Sequence, residues 1–82
     1  MLQNSLRHSL ESLQDVQKAV GQRIKAVRGK RGLTQDQLAE LAGLNRVHLH
    51  RIETGQQSMT LRTLKIIADA LAVKMRDLIG NL

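Results

Sequence analysis

Positions 34–55 read TQDQLAELAGLNRVHLHRIETG, and their spacing leaves few ways to fold. Counted from Gln35, a small residue stands at place 5 (Ala39), glycine at place 9 (Gly43), and aliphatics at places 15 and 18 (Leu49, Ile52). That order describes two short helices crossing steeply at close range. Ala39 lets the second helix approach; a large side chain there would push it away. Thr34 starts the first helix, since its hydroxyl can accept a free backbone N–H. Leu38, Ala39, Leu41 and Ala42 give an apolar face at helical spacing. Gly43 stops that helix, because glycine takes the left-handed conformation without steric penalty. Asn45 caps the second helix, and Leu49 and Ile52 form its buried side. The face carrying Arg46, Val47, His50 and Arg51 is then free to enter a DNA major groove.

The stretch resembles the helix-turn-helix of the Cro/repressor family, also called the Xre family. The resemblance covers residues 20–79 and rests on LTQDQLAELAG, HRIETG and LKIIADALAV. It implies an all-α, five-helix, lambda-repressor-like DNA-binding domain over residues 20–82. An amphipathic extension over residues 1–19 precedes it, read as an additional N-terminal helix.

In that extension Leu2, Leu6, Leu10, Leu13 and Val16 lead on to Val20, Ile24 and Val27, at intervals of three or four. At about 100° per residue they fall within an arc of roughly 120°. Gly21 stands in the middle as a candidate kink or break. Asp15 is a candidate cap for a separate helix beginning at Val16. The extension packs on its own domain or on a second subunit; the alternative is a partly frayed tail. Residues 20–31 read as the first domain helix, weakened at Gly29 by up to about 1 kcal/mol and ended by Gly32. Residues 56–60 are a polar connection, with Ser58 or Thr60 as the next cap. Residues 61–71 form a fourth helix with Leu64, Ile67, Ala68 and Leu71 inward. Residues 75–80 form a short last one with Leu78 and Ile79 buried.

Eighty-two residues make one small domain with a modest core, so a second copy would add stability. The chain has no cysteine, which excludes disulfides and thiolate zinc sites. No apolar run approaches the roughly 20 residues needed to span a bilayer. The N-terminus lacks an apolar signal core, so a cytoplasmic location is expected. The formal charge is +6, and Lys18, Arg23, Lys25, Arg28, Lys30 and Arg31 fall in one stretch free of acidic residues. Alone, such a run is a solvated face; beside a helix-turn-helix it suits a polyanion.

The resemblance assigns individual roles. Gln35 holds a phosphate and braces the head of the recognition helix. Arg46, Val47 and Arg51 match base-contact positions. Arginine can bond guanine O6 and N7 together, and valine can pack on a thymine methyl. His50 lies one turn after Arg46 and reaches a base or phosphate. Thr54 and Gln57 donate to phosphate from the loop after the helix. That loop, QQSMT, lacks the basic residues and proline often found there in the family. Apart from the resemblance, Lys25 and Lys30 of the basic run can flank the groove and neutralise phosphates. Arg28 pairs with Glu53 and ties the first helix to the recognition helix, or else is another phosphate contact.

His48 and His50 point in different directions on a helix and have no further ligand nearby, so no metal is expected. No catalytic constellation and no cofactor-binding loop is evident. The expected function is sequence-specific binding of double-stranded DNA and regulation of transcription, with repression by a homodimer on a two-fold operator. Met75, Leu78, Ile79 and Leu82 are the expected dimer contact. A restriction-modification controller, and an antitoxin with a toxin partner, are alternatives within the class. A protein-interaction module that has lost DNA binding is the alternative outside it.

Overall fold

Five helices follow one another: α1 (Leu2–Lys30), α2 (Gln35–Ala42), α3 (Arg46–Glu53), α4 (Leu61–Ala70) and α5 (Met75–Ile79). The computed structural model describes the backbone of residues 2–82 and the side chains of 6–7 and 12–82. Leu2 and Leu10 of the sequence stripe therefore lie outside the described side chains.

The N-terminal extension and the first domain helix are a single 29-residue helix. Neither the break considered at Gly21 nor a separate cap at Asp15 occurs. Gly21 is buried where α1 crosses the end of α3. A Cβ there would lie 2.8 Å from the Glu53 carbonyl oxygen and closer still to that of Ile52. The glycine serves close backbone approach, not a bend. At about 1.5 Å per residue α1 is roughly 43 Å long. It sets the 46 Å length of the molecule and projects beyond the other helices.

The shorter helices are fixed by their ends. Thr34 Oγ1 accepts from the Gln37 N–H at 3.1 Å, and Gln37 Oε1 accepts from the Thr34 N–H at 2.8 Å. This reciprocal cap satisfies two donors that the first turn leaves free. Gly43 closes α2 at φ 67°, which lets the Leu44 N–H reach the Ala39 carbonyl at 2.8 Å. Asn45 Oδ1 accepts from the His48 N–H at 2.7 Å and starts α3. Of the two caps considered for α4, Thr60 is the one used; its hydroxyl accepts from the Thr63 N–H at 3.1 Å.

The core draws on every helix. Val20 and Ile24 come from α1, Leu38, Ala39 and Ala42 from α2, and Leu49 and Ile52 from α3. Leu64, Ile67 and Ala68 of α4 join them, with Leu71 beyond it and Leu78 of α5. Two apolar residues expected inside are not. Leu41 is 62% exposed. At about 100° per residue it falls roughly 60° outside the arc spanned by Leu38, Ala42 and Ala39. Ile79 is 37% exposed, while its neighbour Leu78 is sealed. Leu78 is thus part of the domain's own core and not a surface for a second subunit.

Part of the basic run on α1 is structural. Arg23 donates to the Leu78 carbonyl at 3.3 Å and also to that of Gly80. These are carbonyls that the end of a helix leaves unpaired. Arg31 donates to the Ala72 carbonyl at 3.4 Å.

Candidate nucleic-acid interface

Helix α3 has eight residues and two opposed faces. Leu49, Ile52 and Glu53 are buried, and Arg46, Val47, His50 and Arg51 are exposed. Val47 is 58% exposed with no polar atom on its side chain, so the fold gains little from it.

Glu53 anchors the helix from below. Its side chain is fully buried and that of Arg28 is 14% exposed. Arg28 Nε donates to Glu53 Oε2 at 2.7 Å and Nη2 to Oε1 at 2.9 Å, a two-pronged pair. A third donor, Nη1, holds the Leu33 carbonyl at 2.9 Å. Hydrogen bonding to Glu53 raises the Arg28 guanidinium above its usual value, against the lowering effect of burial. The resemblance's pairing of Arg28 with Glu53 is therefore what the structure contains. It occupies Arg28 and leaves it unavailable to phosphate.

Gln35 has a different partner from the one expected. Its Nε2 donates to Glu53 Oε1 at 2.9 Å and lies 3.4 Å from His50 Nδ1. It braces the end of α3, not its head. The head is faced by Asp36, whose carboxylate lies 3.6 Å from Arg46 Nε, both side chains being largely exposed. An exposed pair of this kind adds little stability and leaves Arg46 free to turn to another partner.

Lys18, Gln22, Lys25, Gln35, His50 and Thr54 border one depression between α1, α2 and α3, together with the buried Glu53. Gln35, Arg46, Val47 and His50 border another. The two share Gln35 and His50, so they form one continuous face. From sequence Lys18 stood only in the basic run and Gln22 was not singled out, although their spacing to Lys25, four and then three residues, marks one side of a helix. Lys30 is not in either set; five residues past Lys25, it points about 140° away around α1. Arg51 follows Val47 by one turn on the exposed side of α3.

The loop after α3 is held against α1. Gly55 has φ 74°, and a Cβ there would lie 2.8 Å from Lys18 Cα. The Thr54 hydroxyl donates to the His50 carbonyl at 2.9 Å, so its proton is engaged within α3 and not directed outward. Gln57 is half-buried in the loop.

Two capped helices joined through a left-handed glycine, the second baring one polar face, define a helix-turn-helix protein. A helix-turn-helix family model matches residues 24–78, and this chain belongs to that family. It is 48% identical over 62 residues to the immunity repressor protein of Bacillus phage phi105, covering 76% of this chain and 43% of the repressor. It is 32% identical over 65 residues to the control protein C.SmaI of Serratia marcescens, covering 79% of this chain and 77% of that protein. The fold is similar to the crystal structure of the restriction-modification controller protein C.AhdI from Aeromonas hydrophila. The TM-score is 0.74 at 38% identity, over 78% of this chain and 96% of that one. A transcriptional regulator from Vibrio cholerae gives a TM-score of 0.79 at 30% identity, over 84% of this chain and 39% of that one. The chain thus spans less than half the length of the phage repressor. No helix is long and apolar enough to cross a membrane, among the described residues.

Proposed function

We propose that this protein binds double-stranded DNA at specific sequences and represses transcription by occupying an operator, two copies acting together on a two-fold site. One observation carries the reading. The exposed side of α3 and the Lys18–Gln22–Lys25 side of α1 form a continuous face; Glu53, which borders it, is buried and paired with Arg28, and the exposed Asp36 at the head of α3 lies 3.6 Å from Arg46 Nε. Phosphates can approach lysines on the rim while base edges meet Arg46, Val47 and Arg51. Gln35 positions His50 beside them.

A second reading is a controller of a restriction-modification operon, supported by the likeness to the control protein C.SmaI and to the controller protein C.AhdI. A methyltransferase or endonuclease gene next to this one would support the controller; its absence would return the choice to the repressor.

Alanine at Arg46 or Arg51 should weaken operator binding by about 1–3 kcal/mol, the worth of a good two-pronged base contact. Thermal melting should hardly change, because both side chains are exposed. Fluorescence anisotropy on operator and scrambled duplexes tests this. Unchanged discrimination in either variant removes that arginine from base reading.

The lysines separate by position. Lys25→Ala should weaken all sequences alike and make the salt dependence of binding shallower by about one unit. Lys30→Ala, turned away from the face, should leave that slope as it is. Equal slopes for the two variants would mean that the α1 side of the face does not meet DNA as described.

A further inference from the structure

We propose that the projecting part of α1 is a dimerisation arm, seated in an apolar trough formed by α1, α4 and α5 of a second copy of this chain. The inference deepens the two-copy reading above and rests on it.

Among the described residues, the arm is bare on the side that builds the core elsewhere. Leu6 is 62% exposed, Leu13 51% and Val16 38%, whereas Val20 and Ile24, further along the same stripe, are buried. α1 runs without a break, so the arm cannot fold back on its own domain. Leu6 stands about 15 Å along the helix from Val16. The bare stripe offers a second molecule an apolar helix face.

At the foot of the arm lies a mainly apolar trough lined by Leu13, Val16, Val20, Met59, Leu64 and Ile79, together with the polar Gln17 and Ser58. Leu82, 53% exposed, follows at the C-terminus. The trough accepts an apolar helical stripe, and this chain carries one.

Charge favours a second copy. Residues 1–17 hold one cation, Arg7, against Glu11 and Asp15, a net −1. Residues 18–82 hold twelve cations against five carboxylates, a net +7. An acidic arm on a basic body is attractive in both directions when two copies exchange arms, and the exchange closes on itself as a two-fold contact. Antiparallel arms crossing near Leu13 bring Leu6 of one copy to the Val20 end of the other's trough, beside Ile79.

The arrangement keeps the reading face free. Lys18, Gln22 and Lys25 lie roughly 140–160° around α1 from Val20. Dimerisation therefore uses one side of the rod and DNA the other.

Sedimentation velocity at micromolar concentration, without DNA, tests the arm. The intact protein should be a dimer. Leu6→Asp and Leu13→Asp, both at exposed positions, should raise the dissociation constant by a factor on the order of 100 and keep the helical circular dichroism. A cross-link adds geometry, since the chain has no cysteine of its own. Leu6→Cys with Ile79→Cys should oxidise to a covalent dimer, while each single variant does so far less. Within one chain Leu6 is about 21 Å along α1 from Val20, beside which Ile79 sits, beyond any disulfide. A dimer insensitive to both aspartates, or no cross-link in the double variant, overturns the arm and leaves the two-copy reading standing. A monomeric intact protein, alone and on a two-fold duplex, overturns both. Half-site binding by the monomeric variants, measured separately, reports on DNA recognition alone.

Discussion

Arg28→Ala should cost about 3–5 kcal/mol of folding stability, because it leaves the Glu53 carboxylate buried without its counter-charge. For a domain of this size that is a large share of the total, and Tm should fall by on the order of 20 °C. Glu53→Ala should cost less. The Arg28 side chain keeps some contact with water and still holds the Leu33 carbonyl, whereas Glu53 would retain only Gln35. Loss of DNA binding should follow unfolding and be recovered at lower temperature. Thermal melts of both variants and the double variant form a cycle that isolates the pair. A coupling energy near zero would mean that the two-pronged contact contributes nothing to the fold.

Two glycines in the same helix should respond in opposite directions to alanine. Helix propensity alone favours alanine by about 1 kcal/mol at either position. At Gly29, where nothing lies within 4 Å of the added carbon, that preference is unopposed and the protein should gain roughly 0.5–1 kcal/mol. At Gly21 the new methyl would press on the carbonyls of Ile52 and Glu53, which are backbone and cannot swing aside. Overpacking of this kind costs about 1–3 kcal/mol, more for valine than for alanine. The end of α3 must move off α1, so operator binding should weaken along with Tm. Urea melts of Gly21→Ala and Gly29→Ala are sufficient. A Gly21→Ala variant as stable as the parent would show that α1 and α3 have slack at their crossing.

Much of the fold was legible because local chemistry carried it. Thr34, Asn45 and Thr60 are caps whatever surrounds them, and Gly43 ends α2 by its own backbone freedom. Leu38, Leu49, Ile52, Ile67 and Leu71 could be placed inside by spacing alone. The misreadings share a cause: spacing tells which side of a helix a residue occupies, not what stands opposite. Gly21 looked like a break because its neighbour, the end of α3, is more than thirty positions away in sequence. In a five-residue helix such as α5 there is too little periodicity to tell Leu78 from Ile79. The roles of Arg23 and Arg31 were hidden for the same reason; a cation that caps a distant carbonyl looks like one that waits for phosphate. At the site, the resemblance supplied the exposed positions of α3 and the Arg28–Glu53 contact. It did not supply the turn of Gln35 toward Glu53, which depends on where α2 places that side chain, or the part of Lys18 and Gln22. Those two sit on a helix already in view, and only their lateral order with Lys25 marks them.

On α3 the residues that hold the fold and the residues proposed to read DNA are different letters of one eight-residue word. Leu49, Ile52 and Glu53 face the core, while Arg46, Val47 and Arg51 have no part in it. Exchanging the outward letters should change which operator is chosen and leave the melting curve nearly where it was. A lineage carrying this domain could therefore acquire new binding sites through single substitutions, each tolerated by the fold as it arose. Specificity in such a protein is free to drift at a pace set by its operators, not by its stability.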